Sequence, residues 1–346
     1  MAKQAGRTHM NILFHALSPP PRIPGTDAAF QDLEALRDSC GGTILPLFPL
    51  PFPSRWIPRP IYGLHRYFEL RAREHSCDLH FVAYATGYAF PYLATLRKPI
   101  CYQVLAGLDP SAPPPPHFRT RIHLIVNNRR DEKLAQKWGM ADVRYIRPGI
   151  DLTGFEIIPP PPPPKPFVLL AGSAPWTREQ FHLKGFDLLF DLLVHHPDLR
   201  LILLWRGYQR ATLNRLLHRK GLTTRVEVID SKTDIRTLLA RCHATVGLAA
   251  HNRLLKAYPH SLLESLAAGR PVIVSETLAL ADDVRAKQCG EVVGSLTLSA
   301  LDSAVSSLRR QYDRAAEAAT ETGREFDRIP MLARFQETFR DYTGKS

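Results

Sequence analysis

Short apolar runs alternate with segments of helical periodicity along most of the chain. Apolar runs of about 4–8 residues are typical of strands buried on both faces, and apolar spacing near 3.6 residues is typical of the helices that cover them. The alternation therefore predicts an α/β protein with parallel sheets and helices on both faces. The predicted strands are residues 10–17, 79–84, 100–105, 122–126 and 143–146 in the first half, and 167–171, 199–205, 226–229, 245–248 and 272–274 in the second.

Amphipathic segments between these runs predict the helices. Residues 43–60 hold several prolines, which cannot donate to a sheet, so this segment is not predicted to be a clean central strand. The predicted helices are residues 28–40, 61–74, 131–138, 185–194, 211–219, 234–242 and 262–267, followed by a last amphipathic helix after Pro330.

The clearest boundary is a run of six consecutive prolines at 159–164. Such a run adopts polyproline II and extends about 19 Å at ~3.1 Å per residue, which makes a stiff spacer. The 346 residues suffice for two domains of ordinary size, each with its own core. The predicted order is a first doubly wound domain at 1–158, a linker at 159–166, a second doubly wound domain at 167–328, and a C-terminal helix at 329–346 that packs back on the first domain.

Composition and charge exclude several classes of protein. The chain is 45% apolar and 23% charged, as in soluble globular proteins, and no apolar run approaches the roughly 20 residues of a membrane helix. The polar start does not predict a signal peptide, and five scattered cysteines predict reduced thiols in a cytosolic protein and no zinc site. The net charge of +12 suits solubility, a polyanionic ligand or an anionic membrane surface. No nucleic-acid-binding pattern accompanies it, so nucleic acid is not an expected partner.

The stretch 256–275 holds the clearest candidate chemistry. It predicts a loop, a helix capped by Ser261 with Glu264 in its first turn, a tight turn and a buried strand. The start of a helix offers free N–H groups and the positive end of its dipole to a phosphate, and a carboxylate accepts hydrogen bonds from hydroxyls. A nucleoside diphosphate combines both groups, and it is the ligand that this pattern favours.

The head of the helix predicted at 28–40 is a second candidate site. Gly25 and Thr26 lie there, and they are predicted to contact an acceptor, a sugar or a diphosphate. A structural turn is the equal alternative.

Four segments occur in a set order along the chain. They are YIRPGIDLTGF at 145–155, FVLLAGS at 167–173 with HLKGFDLL at 182–189, VEVIDSKTDIRTLLARC at 226–242, and PHSLLESLAAGRPVIVS at 259–275 followed by CGEVV at 289–293. Together they resemble the retaining nucleotide-sugar glycosyltransferases of family 4, which have the GT-B fold. The resemblance covers the second domain well and the first loosely. It implies two Rossmann-like domains that face each other across a cleft, with the donor held mainly by the second and the acceptor by the first.

The resemblance implies two catalytic cations in the second domain. Lys184 would hold the diphosphate of the donor and neutralise the charge that develops as it leaves. Family members carry an arginine directly after the glycine of the first strand, whereas here Ser173 follows Gly172. The nearest arginine is Arg178, in a longer loop. It is the expected second partner of the diphosphate, and a solvated loop arginine is the alternative.

The resemblance also implies further donor contacts. Glu264 would accept hydrogen bonds from the ribose hydroxyls. The other expected contacts are Gly172 and Ser173 beside the donor, the backbone N–H groups of Ser261, Leu262 and Leu263 for phosphate, and the backbone of Asp230, Ser231 and Lys232 for the base.

The position expected to read the donor sugar departs from the family pattern. Family members usually place a glutamate eight residues before the one that matches Glu264, and here that residue is Lys256. A lysine donates hydrogen bonds but accepts none from hydroxyls. Either Lys256 therefore meets an unusual or acidic sugar, or the loop is shifted and His251 and Asn252 take the place of the glutamate.

The first domain departs from the pattern at one position. Many family members carry a histidine near the reacting carbon after a strand of this domain, and Leu105 stands there. His15 and His117 are the alternative histidines that approach the cleft, although a lone histidine more often has a structural role.

The leading hypothesis is a glycosyltransferase that moves a sugar from a nucleoside-diphosphate sugar, with UDP or GDP as the nucleotide, to an acceptor hydroxyl. In the family the leaving diphosphate accepts the acceptor's proton on the same face, so retention is expected and neither a metal nor a cofactor is required. The alternatives are an inverting transferase or a sugar-nucleotide epimerase of the same fold, and a catalytically silent protein that binds a nucleotide or a partner. The expected acceptor is a glycan, a lipid-linked molecule or a small molecule. The expected location is the cytoplasm, with peripheral contact at an anionic inner membrane face.

Overall fold

The computed structural model describes residues 10–17, 23, 25–48, 62–84, 91–155, 166–205 and 208–344. The chain divides into two compact units, the first comprising Met1–Arg147 with Ile329–Ser346 and the second comprising Pro148–Arg328. The predicted linker at 159–166 lies outside the described residues except for Pro166. No helix within the described ranges is both long and apolar enough to cross a membrane.

The first unit is built on a six-stranded parallel sheet covered by helices. Its strands are β1 (Ile12–Ala16), β2 (Thr43–Pro46), β3 (Leu79–Tyr84), β4 (Ile100–Val104), β5 (Ile122–Val126) and β6 (Val143–Tyr145). They lie in the order β2-β1-β3-β4-β5-β6, so the order reverses beside β1. Its helices are α1 (Ala28–Cys40), α2 (Tyr67–Glu74, after a 3-10 turn at Leu64–Arg66), α3 (Pro91–Thr95), α4 (Pro116–Arg119), α5 (Arg129–Lys137) and the last helix of the chain, α14 (Arg328–Thr343).

The second unit repeats this plan with the strand order of a Rossmann sheet. Its strands are β7 (Phe167–Ala171), β8 (Leu199–Leu204), β9 (Val226–Ile229), β10 (Ala244–Gly247), β11 (Val272–Ser275) and β12 (Gly290–Val293). All pairs are parallel, in the order β12-β11-β10-β7-β8-β9. Its helices are α6 (Glu179–Leu183), α7 (Phe186–His195), α8 (Arg210–Arg219), α9 (Ile235–Leu239), α10 (His260–Ala267), α11 (Leu280–Lys287), α12 (Leu298–Arg310) and α13 (Tyr312–Arg324).

The predicted strands are confirmed, with ends that differ from the prediction by no more than two residues. The proline-interrupted segment contributes β2, which is an edge strand, in keeping with its exclusion from the centre of the sheet. The pattern did not predict the short helices α3, α4 and α6, nor α11, α12 and α13. Helices of four or five residues complete barely one turn, so they leave no periodic signal to read.

The last helix lies with the first unit, and aromatic residues hold it there. Phe335 and Phe339 are buried in the same apolar cluster as Phe14 of β1 and Phe81 of β3. The Phe81 and Phe339 ring centroids lie 5.5 Å apart in an edge-to-face arrangement. Such aromatic pairs contribute about 0.5–1.5 kcal/mol beyond the burial of their area. The chain thus returns to its first sheet after completing the second.

The boundary between the units falls earlier than the predicted 158. Residues 148–155 lie with the second unit, where Ile150 forms a parallel bridge with Asp327. The Ile150 N–H donates to the Phe326 carbonyl at 2.8 Å, and the Arg328 N–H donates to the Ile150 carbonyl at 2.9 Å. Because these hydrogen bonds join the entry and the exit of the second unit, its backbone starts at Pro148. The sequence placed the boundary at the prolines instead.

Candidate functional site

The second sheet reverses its strand order between β7 and β10. The strands β8 and β9 follow β7 on one side, and β10, β11 and β12 lie on the other. In open parallel sheets, ligands bind outside the carboxyl ends of the strands at such a reversal. A cleft lies there, and its empty space, including the part open to solvent, is about 340 Å³. Its lining comprises Ala171, Gly172, Ser173, Lys184, Phe186, Leu189, Val246, Gly247, Leu248, Leu255, Pro259, Ser261 and Leu262.

Lys184 places a buried cation in the cleft. It lies between α6 and α7 and is only 6% exposed. Its Nζ donates to the Ser173 carbonyl at 3.0 Å, and no described carboxylate forms an ion pair with it. Burial lowers the pKa of Lys184 from 10.5 to about 8 because the ammonium loses water without gaining an opposite charge. An anion that entered the cleft would supply that charge.

Ser173 turns its carbonyl toward this cation through an unusual backbone conformation. Its φ of 59° is left-handed, a conformation that costs a residue with a side chain roughly 1–2 kcal/mol. Strain of this kind persists where the surrounding structure imposes it, and such residues cluster at binding sites. The loop after β7 is therefore held in a particular shape beside Lys184.

Two glycines let the walls of the cleft approach closely. A Cβ added to Gly172 would lie 3.4 Å from the Ser261 Oγ, so the loop after β7 directly faces the first turn of α10. A Cβ added to Gly185, which has a φ of 65°, would lie 2.7 Å from the Leu248 Cδ1. Only glycine fits there without displacing the residues that follow β10.

Helix α10 begins differently from the prediction. Its N-cap is Pro259, so Ser261 lies inside the first turn and does not cap the helix, and Glu264 falls in the second turn. The N–H groups of Leu262 and Leu263 both donate to the Pro259 carbonyl, at 3.0 and 3.2 Å, and this differs from their predicted role as phosphate donors. In the described structure, the Ser261 N–H has no such partner and remains available to a ligand.

The structure brings together some of the predicted site residues but not all of them. Gly172, Ser173, Lys184, Ser261 and Leu262 line the cleft. Arg178 is exposed at the N-cap of α6 and does not line it, so its predicted role is not supported by position. Outside the lining are also Lys256, His251 and Asn252 in the loop before α10, Leu263 and Glu264 within α10, and the exposed Asp230, Ser231 and Lys232 after β9.

Several lining residues were not predicted. Phe186 and Leu189 come from the first turns of α7, and Gly247 and Leu248 come from the end of β10. A signal for the last pair existed, because β10 is the fourth strand of its domain and should neighbour the first in a Rossmann order. The residues at its carboxyl end were therefore candidates from the topology alone.

The second candidate site, at the head of α1, is occupied by the chain itself. The Asp27 carboxylate caps the helix and accepts from the N–H groups of Ala29 and Phe30 at 2.8 and 3.1 Å. The Thr26 hydroxyl donates to the Ile23 carbonyl at 2.7 Å, and the Gly25 carbonyl accepts from the side chain of Gln31. A carboxylate at the helix start repels a phosphate, so the geometry agrees with a structural turn.

His15, one of the histidines expected near the cleft, is instead fully buried inside the first unit. Its Nε2 lies 3.0 Å from the His80 Nδ1, and its Nδ1 lies 3.0 Å from the Tyr92 hydroxyl. The His80 Nε2 lies 2.9 Å from the Glu74 Oε1, which completes a chain of four buried side chains. His117 is exposed beside Phe118. Within the described parts of the chain, no group of three His, Cys, Asp or Glu residues is arranged to hold a metal.

Comparison with known proteins finds a family match within the second unit. Residues 177–326 match the family described as Glycosyl transferases group 1. The matched segment includes Lys184 and the whole of α10. A comparison with curated protein sequences found no match.

Solved structures agree over nearly the whole chain. Anabaena Alr3699/HepE in complex with UDP and glucose is 16% identical, with a TM-score of 0.69 over 96% of this chain and 100% of that one. Sucrose-phosphate synthase (tll1590) from Thermosynechococcus elongatus is 14% identical, with a TM-score of 0.70 over 97% and 100%. WaaG, a glycosyltransferase involved in lipopolysaccharide biosynthesis, is 14% identical, with a TM-score of 0.64 over 96% and 100%. The fold is therefore GT-B, with two Rossmann-like domains, as the sequence predicted.

Proposed function

We propose that the protein is a glycosyltransferase that moves a sugar from a nucleoside-diphosphate sugar to an acceptor hydroxyl. The observation that carries the proposal is Lys184, a buried cation without a described anionic partner, at the strand reversal where α/β sheets bind ligands. The group 1 domain around it and the UDP-glucose complex of Anabaena Alr3699/HepE support a nucleotide-sugar donor, with UDP as the first nucleotide to test.

Lys184 would act on the leaving group. Burial has removed most of the water from its ammonium, so an entering diphosphate would supply the compensating charge and hydrogen bonds. The same charge stabilises the diphosphate as the bond to the sugar breaks, and a preorganised cation needs no rearrangement at that moment. The Ser261 N–H, on the facing wall of the cleft, would donate to a phosphate oxygen.

The proposal includes retention of configuration and no metal or cofactor, as the family 4 resemblance implies. Under this mechanism, the leaving diphosphate accepts the acceptor's proton, and Lys184 does the charge compensation for which many transferases use a divalent cation. The proposal also assigns Glu264 to the ribose hydroxyls. An inverting transferase and a sugar-nucleotide epimerase are the alternatives that product analysis would distinguish.

The first unit is proposed to bind the acceptor. Helix α2 exposes 86% of Phe68, beside Tyr67 and between the arginines Arg66 and Arg73. An exposed aromatic ring among arginines suits an interface with anionic lipid, because the ring enters the headgroup layer while the arginines bind phosphate. A lipid-linked acceptor, met at an anionic membrane surface, is therefore the acceptor class that we propose.

Calorimetric titration with UDP, GDP and ADP tests the proposal on the full chain. We expect at least one nucleotide to bind the wild type. In Lys184→Met, which keeps the length of the side chain but not its charge, that affinity should fall by about 100-fold or more. Thermal stability should not fall with it, because methionine loses no hydration when buried. The control Lys287→Ala removes a partly exposed lysine of the same unit, which pairs with Glu325 outside the cleft, and should bind like the wild type.

Two results would contradict parts of the proposal. Equal nucleotide affinity in the wild type and Lys184→Met would show that the diphosphate does not bind beside Lys184. If no nucleotide bound the wild type, the proposal of a nucleotide-sugar donor would be wrong. Nucleotide binding without release of sugar from UDP-glucose, or from the sugar nucleotide of the base that binds, would favour the silent nucleotide-binding alternative. Slow hydrolysis of the donor that is lost in Glu264→Ala would favour the enzyme.

A further inference from the structure

Two aromatic rings stand exposed at the edge of the second sheet that holds the cleft. Trp176 lies in the loop after β7 and is 45% exposed, and Tyr208 lies in the loop after β8 and is 47% exposed. Their ring centroids are 5.6 Å apart, with the planes tilted by 56°. Large aromatic side chains are normally buried, and neighbouring exposed ones indicate a binding surface. The other tryptophan of this unit, Trp205, is 1% exposed and follows that rule.

The backbone beneath these rings is held by side-chain hydrogen bonds. The Trp176 N–H donates to the Gln180 Oε1 at 2.8 Å, and the Gln209 Nε2 donates to the Trp176 carbonyl at 3.4 Å. The Thr212 hydroxyl in turn donates to the Gln209 Oε1 at 3.1 Å. Trp176 is therefore fixed through its main chain while its ring stays outside the core. A ring held in place without burial is a preformed contact surface, so little conformational entropy is lost when a ligand covers it.

The pair is connected to the phosphate end of the proposed site. Gln180, which holds Trp176, accepts at its backbone carbonyl from the Lys184 N–H at 3.0 Å. Ser173, whose carbonyl binds the Lys184 ammonium, lies three residues before Trp176 in the same loop. The aromatic surface and the buried cation are thus presented by one segment, residues 173–184, at the carboxyl end of β7.

The pair also adjoins the loop that the sequence assigned to the base. Arg210, two residues after Tyr208, pairs with Asp230 at 3.3 Å, so the loops after β8 and β9 are joined at this edge. Polar groups that read the edge of a base would come from residues 230–232, and the rings supply the face on which a planar base stacks. The rings and residues 230–232 would therefore supply the two parts of a base site at the carboxyl edge of the sheet.

We propose that Trp176 and Tyr208 form the stacking surface for the nucleobase of the donor. This inference rests on the proposed function, because it takes Lys184 as the place of the diphosphate. Stacking on an aromatic face is favourable for every base, so the surface contributes affinity, and the choice of base is left to polar contacts. Loss of the rings would weaken binding of a nucleotide but not of its phosphates alone.

The experiment compares UDP, or whichever of UDP, GDP and ADP the wild type binds best, with inorganic pyrophosphate by calorimetric titration. We expect Trp176→Ala and Tyr208→Ala each to weaken nucleotide binding by about 5- to 100-fold. Pyrophosphate affinity should stay within about 2-fold of the wild type. The control Val194→Ala shortens an exposed apolar side chain on α7 of the same unit, outside the lining of the cleft, and should change neither.

Three outcomes would overturn the inference. Unchanged nucleotide affinity in both variants would mean that the rings do not meet the base. A parallel loss of nucleotide and pyrophosphate affinity would assign them a structural role in shaping the loop of Lys184. An increase in KM for the acceptor alone would place the acceptor on the rings. If the wild type bound neither nucleotide nor pyrophosphate, the proposed function would fail first, and the inference with it.

Discussion

The buried polar side chains of the first unit hydrogen bond to one another, whereas the buried lysine of the second unit lines an open cleft without a described counter-charge. The sheet of the first unit reverses beside β1, where His15 and His80 of neighbouring strands hydrogen bond to each other in the core. The sheet of the second reverses between β7 and β10, where the cleft is lined mainly by apolar side chains and the one cation on the lining is Lys184. Two parallel sheets that differ in strand order thus hold an internally satisfied polar network in one unit and an open candidate site in the other.

The closed arrangement of the first unit has one consistent set of protons. Glu74 is ionised. Burial raises its pKa, but hydrogen bonds from the Arg97 N–H and from His80 lower it by more, so the net pKa lies below 4.5. His80 must therefore donate from Nε2, and because burial keeps it neutral its Nδ1 accepts from the Nε2–H of His15. Burial also lowers the pKa of His15, so its Nδ1 accepts from the Tyr92 hydroxyl. Within the described structure, every polar atom of these four side chains has a hydrogen-bond partner, so none of their donors is left for a ligand.

The open arrangement of the second unit leaves its charge uncompensated. Lys184 has a carbonyl as its described partner, and burial lowers its pKa for that reason. A buried charge without a counter-charge is destabilising, and it persists where a ligand supplies the partner. The first unit therefore holds a polar network whose members compensate one another, and the second holds a buried cation that lowers stability and that we propose as a binding group.

Removal of Glu74 is the largest expected perturbation of the closed network. Glu74→Ala leaves His80 and Arg71 without their acceptor in a buried setting, and breaking a buried charged network typically destabilises by about 3–5 kcal/mol. Hydrogen exchange of the full chain, read by mass spectrometry, should show faster exchange in β1 and β3 and unchanged exchange in β7. The change should thus stay within one unit.

A matched control lies one turn away on the same helix. Glu69 pairs with Arg66 and Arg73 but is partly exposed, so Glu69→Ala should reduce stability by less than about 1 kcal/mol. If the two alanine variants were equally mild, the chain from Glu74 to Tyr92 would not organise the first unit. The contrast between the stabilising polar network of the first unit and the uncompensated lysine of the second would then have no energetic basis.

The sequence predicted the sheets well because their signal is local. The run Val272–Ser275 is apolar without interruption, and that alone predicts a buried strand. The pairing of His15 with His80 joins residues 65 positions apart and depends on the register of β1 against β3, which no local pattern encodes. The fold was therefore accessible from periodicity, but the polar network was not.

The candidate site was predicted in part for the same reason. Lys184 lines the cleft, and the sequence points to it through the short motif that carries the family resemblance. Its burial and the left-handed φ of Ser173 arise from packing between loops, and sequence spacing does not report them. Ser261 was assigned as the helix cap because serine favours that position, but Pro259 begins the helix instead.

The His15 contribution to the first unit and the Lys184 contribution to the second should both increase as pH rises, but over different pH intervals. The pKa of His15 in the folded state lies below 6.5, so the unfolded chain takes up protons first and the first unit loses stability as pH falls below about 6.5. The depressed pKa of Glu74 adds a further loss below about 4.5. The pKa of Lys184 is about 8 when folded and 10.5 when unfolded, so its contribution to the stability of the second unit increases as pH rises through that interval, by roughly 3 kcal/mol at most. Burial raises the pKa of the Cys242 and Cys289 thiols, and their contributions oppose this gain above about pH 9.

Scanning calorimetry of the full chain between pH 5 and pH 10 would test this prediction. The transition that nucleotide raises is assigned to the second unit, and the transition that Glu74→Ala lowers is assigned to the first. Lys184→Met should abolish the alkaline gain and leave the acid loss of the first unit intact. If the alkaline gain in stability survived in Lys184→Met, it would come from another titrating group, and the buried charge of Lys184 would not account for it.

The smallest effect tests whether close backbone approach shapes the open site. Gly185 and Gly221 both have a φ of 65°, but a Cβ on Gly185 would lie 2.7 Å from the Leu248 Cδ1, whereas a Cβ on Gly221 would meet nothing within 4 Å. Gly221→Ala should therefore cost about 1 kcal/mol, the strain of a left-handed alanine, and leave nucleotide affinity unchanged. Gly185→Ala should add about 1–2 kcal/mol of overpacking and weaken nucleotide binding, because Lys184 is the preceding residue. Urea unfolding and calorimetric titration on the two variants measure both quantities.

Equal losses would mean that Leu248 gives way and that the wall of the cleft adjusts freely. A larger loss in Gly185→Ala, in both stability and affinity, would mean that the close approach of Gly185 to Leu248 fixes this wall of the cleft.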